Sequence, residues 1–359
     1  MPKMLQQHTT NRKQNKPTRR KIHDTMKIIL QGYNKSIHKK NNQILIKEKD
    51  KTIYKTNPKK ITDILIIGKG YITFDALTLI AQNNIPLIST NYYGQIDYIL
   101  TTPNNDNILL RKKQYKTSEN YQGTKITKEI IKSKITNQYN TLKTLNKNKK
   151  NEEVNKIKKE IKNNIKLLEK LEITNKTETN KLKNQIRGIE GITSAKYWKA
   201  ISKIVPKEIN FKTRQQKPKK DVTNAMLNYG YAILASEITK IIITEKLDPY
   251  CGFLHSDLNK RNSLTYDIIE EFRQQIIDKT VLALINRKQI TEKDIDKRTN
   301  LLKKESKYLL ASTIMKKIHT KIKYQEEEQT YYQIIEKQIK KIKQTINTEE
   351  EYKGFKINW

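Results

Sequence analysis

The sequence predicts an α+β fold, in which a small β-rich N-terminal domain is followed by a larger all-α domain. Between residues 26 and 100, short segments rich in β-branched residues alternate with polar turns. From residue 108 almost to the end, apolar residues instead recur at helical spacing. The length of 359 residues also fits two domains. The predicted parts are a basic disordered tail (1–25), the β-rich domain (26–100), a linker (101–107) and the α-helical domain (108–359).

The β-rich domain is predicted to hold one short helix. The segments KIILQGYN, QILIKEK, KTIYKT, DILIIG and IPLIST are typical of strands. Before the last of them, Thr73 can cap a helix whose buried face would carry Phe74, Leu77 and Ile80. Asn83-Asn84 would end that helix.

A glycine pair follows the fourth predicted strand and suggests a phosphate-binding loop. Gly68-Lys69-Gly70 lacks the third glycine of a dinucleotide fingerprint and the GK[ST] ending of a Walker A loop. We therefore reject nucleotide binding here and expect a plain strand-to-helix turn.

The helical domain is predicted to contain three blocks of helix. Residues 126–172 carry apolar positions on one face and Lys, Asn and Glu on the other, which fits either a coiled-coil hairpin or a DNA-facing helix. The second block spans Val222 to about Arg287, and the third spans Asp294 to Thr348.

The charge balance points to an anionic partner. Lys and Arg number 73 against 37 Asp and Glu, which gives a formal net charge of +36. Such an excess causes self-repulsion in a compact protein unless a polyanion such as double-stranded DNA binds it. An alternative is a genome rich in A and T, because Lys, Asn and Ile all have A/T-rich codons. That bias also favours Glu, so it does not account for the scarcity of acids.

The remaining composition fits a cytoplasmic protein. Cys251 is the single cysteine, so no disulfide forms within the chain, and we expect it to be a small buried apolar side chain. The first 25 residues contain no apolar core of a signal peptide. No run approaches the roughly 18 apolar residues that a membrane span needs.

One histidine and a group of acids are the candidates for chemistry. His255 closes the loop-like phrase DPYCGFLHSD, although a lone histidine is more often structural. Asp267 and Glu270, or Asp267 and Glu271, can share a helix face in YDIIEEFR, although acids beside an apolar stripe are commonly just solvated. Glu190 lies in an apolar stretch poor in other acids.

This donor set suits a hard divalent cation. One imidazole with two or three carboxylates fits Mn²⁺ or Mg²⁺, whereas no Cys-His or Cys-Cys pair is present to build a zinc site. A bound ion of this kind can stabilise a pentacoordinate phosphate and activate a hydroxyl group. Spacing alone leaves this metal site a hypothesis.

The order of the motifs resembles that of the CRISPR-associated integrase-endonuclease family of spacer adaptation, the Cas-one family. The resemblance rests on GIEGITSAKYWKAI, DVTNAMLNYGYAILASEI, LDPYCGFLHSDLNKRNSLTYDIIEEFR and VLALINRKQI, in that order. It also includes DILIIGKGYITFDALTLIAQNNIPLIST and the closing EYKGFKINW, and it covers roughly residues 26–359.

The resemblance implies a metal held by Glu190, His255 and Glu270, with Asp267 supporting the site. The α-helical domain would then be catalytic. Arg187, Arg261 and Arg273 are candidates for binding DNA phosphates, and salt bridges to nearby acids are the alternative for Arg261 and Arg273. Tyr229 and Tyr231 fit the core better than base stacking.

The family also implies an assembly and a reaction. Its members form homodimers, and two dimers flank a small dimeric adaptation partner in a heterotetramer-type complex that captures short double-stranded DNA. The 3′-hydroxyl ends of that duplex attack the CRISPR repeat by transesterification, which serves antiviral defence. Isolated members also act as metal-dependent endonucleases, that is, phosphodiester hydrolases.

Two other functions stay open. A transposon-encoded relative would integrate the ends of its own element, and the end of this chain directly after the family tail favours the CRISPR version. A non-catalytic architectural DNA-binding protein would use only the positive charge.

Overall fold

The computed structural model describes residues 26–91, 96–100, 107–174, 178–215, 221–254, 262–296 and 298–357. The chain divides into two compact units, with the boundary between Asn107 and Ile108. The first is a mixed α/β unit and the second is mainly helical, so the broad α+β class is confirmed.

The first unit is a six-stranded sheet. Its strand order is β3-β2-β1-β4-β5-β6. The pairs β1–β4 and β4–β5 are parallel, and the other neighbours are antiparallel. Hairpin turns with left-handed residues, such as Asn41-Asn42, join the first three strands. The strands are β1 (Met26–Lys40), β2 (Gln43–Glu48), β3 (Lys51–Thr56), β4 (Ile61–Ile72), β5 (Leu87–Thr90) and β6 (Ile96–Leu100).

Helix α1 (Phe74–Gln82) connects two parallel strands and covers one face of the sheet. Thr73 caps it as predicted, since its hydroxyl accepts a hydrogen bond of 3.3 Å from the amide of Ala76. The predicted buried face is wrong at Phe74, whose side chain is 88% exposed. The buried residues are Ala76, Leu79 and Ile80, because the helix packs with a face rotated from the one that the apolar spacing suggested.

The glycine pair does not form the expected strand-to-helix turn. Gly68 and Gly70 lie inside β4, at a bulge in its pairing with β1. A Cβ atom on Gly68 would lie 2.1 Å from the carbonyl oxygen of Gly32, and one on Gly70 would lie 2.0 Å from that of Lys35. The glycines therefore permit the close approach of two strands.

The second unit is not all-α, which corrects the prediction. Two short hairpins, β7–β8 and β9–β10, interrupt its helices. Polar residues at positive φ, Gln325 and Glu326, form the turn between β9 and β10, inside the third predicted helical block. The elements are α2 (Ile108–Glu119), α3 (Tyr121–Leu145), α4 (Glu152–Lys170), α5 (Thr179–Ile204), α6 (Val222–Thr244), α7 (Ser263–Arg273), α8 (Lys279–Asn286), β7 (Ile295–Asp296), β8 (Leu301–Leu302), α9 (Lys304–Ile318), β9 (Lys321–Tyr324), β10 (Glu327–Thr330) and α10 (Tyr331–Thr348).

Helix α3 is the central element of this unit. It packs against α2, α4, α5 and α7. Apolar residues on one face of α3 and one face of α4, such as Ile130 and Ile161, are fully buried in one continuous core. Segment 126–172 is therefore a helical hairpin within the domain core. The second predicted block is also divided, because α6 ends at Thr244 and α7 begins at Ser263.

A five-residue π-helical segment, Gln274–Asp278, joins α7 directly to α8. Such wide turns in a helix are frequent at functional sites because they shift the register of the side chains. In the part of the chain that the structure describes, no helix is both long and apolar enough to cross a membrane.

Candidate metal centre

Glu190 lies near the middle of α5, one turn before Ser194. The Ser194 hydroxyl donates a hydrogen bond of 2.8 Å to Oε1 of Glu190. The Glu190 side chain is 25% exposed, so it remains accessible to a ligand.

The three acids of α7 are buried, and each one contacts a different part of the protein. Glu270 faces α3, Asp267 faces the segment before His255, and Glu271 faces the C-terminal tail. Burial rules out the alternative that these acids are simply solvated. A buried carboxylate needs a hydrogen-bond donor or a positive charge beside it, and each of these three acids has different ones.

Lys134 of α3 brings Glu190 and Glu270 together. Its ammonium group forms a short ion pair with Oε1 of Glu190 and lies 2.7 Å from Oε2 of Glu270. Its side chain is only 5% exposed. Two carboxylates from different helices therefore meet at one buried positive charge.

Arg273, one turn after Glu270, is its second cationic partner. The guanidinium Nη1 lies 3.1 Å from Oε2 of Glu270, and its carbon lies 4.4 Å from the centre of the Tyr231 ring. Burial opposes the charge of Arg273, but Glu270, Tyr231 and Asp278 together raise its pKa. This geometry supports the salt-bridge alternative for Arg273.

Asp278 lies behind this arginine at the end of the π-helical segment. It accepts hydrogen bonds from the hydroxyls of Tyr197 (2.9 Å) and Tyr231 (2.6 Å). Burial raises the pKa of Asp278 to about 6, although the two hydroxyls and Arg273 act in the opposite direction. Tyr231 is therefore part of a buried polar network, which agrees with its predicted place in the core.

Asp267 and Arg187 hold the segment that leads to His255. Oδ2 of Asp267 accepts hydrogen bonds from the amides of Phe253 (2.5 Å) and Leu254 (2.9 Å). Nε of Arg187 donates to the carbonyl oxygen of Leu254 at 3.1 Å. His255 and Arg261 themselves lie outside the described residues. Asp267 and Arg187 thus fix the backbone immediately before the third predicted ligand.

Glu271 anchors the C-terminal tail. Its carboxylate accepts hydrogen bonds from the hydroxyl of Tyr352 (2.6 Å) and the amide of Phe355 (2.7 Å). Asn137 of α3 completes the clamp by donating to the carbonyls of Glu271 and Phe355. Burial raises the pKa of Glu271 to about 7. The tail therefore joins the helices that carry Lys134 and Glu270.

The donor set of the described residues fits part of a site for a hard cation. Glu190 and Glu270 already surround one positive charge, and carboxylate oxygen is the ligand that Mn²⁺ and Mg²⁺ prefer. The described residues contain no group of three His, Cys, Asp or Glu side chains arranged for a metal. A site with three protein ligands would need a residue outside the described part of the chain, where the predicted ligand His255 lies.

Three residues of this region, Lys134, Asp278 and Asn137, were not predicted from the sequence. The burial of Lys134 could have been predicted, because this residue follows the buried positions Ile126 and Ile130 at four-residue spacing. A lysine on an apolar stripe requires a buried anion. Asp278 had no such signal, since its partners lie 81 and 47 residues away in sequence.

Comparison with known proteins identifies the family of the chain. The family model described as "CRISPR associated protein Cas1" matches residues 28–324. The chain belongs to the Cas1 family. The resemblance inferred from the motifs is thereby confirmed.

Curated Cas1 relatives align over nearly the whole chain. "CRISPR-associated protein Cas1 3" of Methanobrevibacter ruminantium is 51% identical, over 93% of this chain and 100% of the relative. "CRISPR-associated endonuclease Cas1 1" of Archaeoglobus fulgidus is 34% identical, over 93% of this chain and 100% of the relative.

Solved structures show the same fold. A casposase bound to integration product is 26% identical, with a TM-score of 0.69 over 91% of this chain and 97% of the casposase chain. A chain of a partial Cas6-RT-Cas1–Cas2 complex is 19% identical, with a TM-score of 0.70 over 93% of this chain and 100% of that chain. The second likeness shows the Cas1 fold alone.

Proposed function

We propose that this Cas1 protein is a metal-dependent DNA integrase and endonuclease of CRISPR adaptation. It joins the 3′-hydroxyl ends of short duplex DNA to the CRISPR repeat by transesterification. The observation that carries the proposal is the meeting of Glu190 and Glu270, from two separate helices, at one buried charge. The name of the Archaeoglobus relative, an endonuclease, supports the chemistry.

Glu190, His255 and Glu270 would hold Mn²⁺ or Mg²⁺. The ion supplies charge stabilisation at the reacting phosphate and lowers the pKa of a bound hydroxyl group. The protein contributes orientation: Arg273 holds Glu270, while Asp267 and Arg187 hold the backbone before His255. Transesterification forms one phosphorus–oxygen bond as another breaks, so it requires no external energy source.

The charge of the protein supports binding to the DNA backbone. A net charge of +36 favours contacts to phosphates, which give affinity with little sequence selectivity. Arg187 donates to Leu254 and Arg273 pairs with Glu270, so both already have structural roles. Arg261 is the remaining proposed phosphate contact near the site.

The proposed assembly is a homodimer that binds a small dimeric adaptation partner in a heterotetramer-type complex in the cytoplasm. Membership of the Cas1 family supports this assembly. A Cas1 chain in a Cas1–Cas2 complex also shares the fold.

A second candidate function is integration of a mobile element's own ends. The likeness to a casposase bound to integration product favours it, at 26% identity. The two functions share the metal site and differ in the DNA that is joined. A competition experiment separates the two functions: equal amounts of a short blunt duplex and of a transposon-end duplex are offered with a CRISPR-repeat plasmid. The duplex that is joined more efficiently indicates the function.

The test is a strand-transfer assay in Mn²⁺ with a supercoiled repeat plasmid. Covalent joining should disappear with EDTA, with 3′-blocked ends, and in Glu190→Gln or Glu270→Gln. Glu153→Gln removes a surface carboxylate paired with Lys203 and should leave joining unchanged. If folded Glu190→Gln and Glu270→Gln variants still join DNA, the proposed site is wrong. DNA binding without any joining would support the architectural alternative.

A further inference from the structure

The ammonium group of Lys134 occupies the position where the two proposed metal ligands meet. It contacts Oε1 of Glu190 and Oε2 of Glu270, and its side chain is nearly buried. A solvent-exposed lysine pairs with acids weakly and exchanges freely. A buried lysine that touches two carboxylates is instead a fixed counter-charge.

Among the described ion pairs at this point, positive and negative charges are equal in number. Two carboxylates, Glu190 and Glu270, face one ammonium, Lys134, and one guanidinium, Arg273. Ser194 adds a neutral hydrogen-bond donor. A divalent cation bound to the same carboxylates would add two positive charges next to the Lys134 ammonium in a poorly solvated site, which is unfavourable.

We propose that Lys134 is the internal counter-cation of the metal site. Its ammonium group holds Glu190 and Glu270 together before a divalent ion binds, and it leaves both carboxylates when the ion arrives. The inference rests on the proposed function, because it assumes that these two glutamates are metal ligands. It adds a residue that sets the affinity of the site for the ion.

This role predicts that loss of the Lys134 ammonium group lowers the stability of the metal-free protein and raises its affinity for the ion. Removal of the ammonium group should destabilise the metal-free protein, because two carboxylates then lie close together with Arg273 as their one remaining cation among the described contacts. It should also strengthen metal binding, because the ion no longer competes with a positive charge. Coulomb energies at such short range predict a gain on the order of tenfold or more in affinity.

Calorimetric titration of purified full-length protein with MnCl₂ tests the proposal. Lys134→Met should bind Mn²⁺ at least roughly tenfold more tightly than wild type. Without metal, this variant should have a lower melting temperature than wild type. Addition of Mn²⁺ should raise its melting temperature by more than it raises that of wild type. Lys134→Arg, which keeps the charge, should stay close to wild type.

Lys240→Met is the matched control. Lys240 is also buried, at 3% side-chain exposure, and it pairs with Glu237, which is not a proposed ligand. Its removal should lower the melting temperature and leave the affinity for Mn²⁺ unchanged. This control separates loss of a buried ion pair from loss of the competing cation.

The outcomes separate the inference from the proposed function. Unchanged or weaker Mn²⁺ binding in Lys134→Met overturns the inference. Mn²⁺ binding that Glu190→Gln and Glu270→Gln do not affect overturns the proposed site itself. If Lys134→Met does not fold, labelling of wild type with acetic anhydride decides. Mn²⁺ should increase acetylation of Lys134 at least several-fold relative to Lys240, and no increase overturns the inference.

Discussion

The hydroxyl of Tyr231 donates a hydrogen bond of 2.6 Å to Asp278. The same tyrosine offers its ring to the guanidinium of Arg273, which pairs with Glu270. An acid in the π-helical segment is thus connected through a tyrosine and an arginine to a proposed metal ligand. Aromatic rings attract cations over their faces, so the Tyr231 ring restricts where Arg273 can lie.

Asp278 should make stability depend on pH. Burial raises its pKa from 3.8 to about 6, so the folded protein binds more protons than the unfolded chain between these values. Stability conferred by this group is therefore highest at low pH and falls as pH rises through about 6. Relative to Asp278→Asn, wild type should lose roughly 2 kcal/mol between pH 4 and 7 in urea unfolding. A difference between the two proteins that does not change with pH would contradict this environment for Asp278.

Asp267→Ala should release the segment before His255. Two buried amides, of Phe253 and Leu254, lose a charged acceptor, at a cost of roughly 2 to 4 kcal/mol. Hydrogen exchange at both amides should accelerate. Asp296 accepts two amide hydrogen bonds in an exposed turn, so Asp296→Ala is the matched control and should lose less stability. Unchanged exchange at Phe253 and Leu254 would show that Asp267 does not hold this segment.

Gly354→Ala should displace the C-terminal tail. An added Cβ would lie 2.3 Å from Oγ of Ser133 and 2.9 Å from Oε1 of Glu271. Overpacking of this kind costs roughly 1 to 3 kcal/mol. At Gly188, within α5, nothing lies within 4 Å of the added atom. Gly188→Ala should therefore gain about 1 kcal/mol from better helix propensity. If Gly354→Ala and Gly188→Ala changed the melting temperature equally, the tight packing of the C-terminal tail against Ser133 and Glu271 would be contradicted.

DNA binding should weaken steeply with salt. Each phosphate contact releases a counterion, so the logarithm of affinity should fall linearly with the logarithm of salt concentration. Arg261→Ala should reduce the magnitude of this slope by about one. Fluorescence anisotropy with a short duplex measures the slope. An unchanged slope would remove Arg261 from the proposed phosphate contacts.

Local patterns in the sequence predicted the secondary structure well and the packing less well. The strands of the first unit follow from short β-branched segments, and Thr73 follows from capping chemistry. Phe74 was misplaced because a nine-residue helix offers several apolar faces, and the sheet beneath it selects one. The bulge at Gly68 depends on the approach of β1, which no local pattern reveals.

The sequence indicated candidate site residues but not how they are arranged. Spacing indicated that the acids of α7 matter, but it suggested a shared face, whereas Asp267, Glu270 and Glu271 have three separate partners. Those partners come from α3, from the segment before His255 and from the tail, through long-range contacts. The resemblance indicated Glu190 and Glu270 as candidate ligands, and it did not indicate Lys134.

The most direct test of the central claim is a crystal structure of the protein with Mn²⁺, examined by anomalous scattering. We expect one strong anomalous peak within bonding distance of carboxylate oxygens of both Glu190 and Glu270, with His255 as a further ligand. A peak at other residues, or none at Mn²⁺ concentrations that support DNA joining, would contradict it.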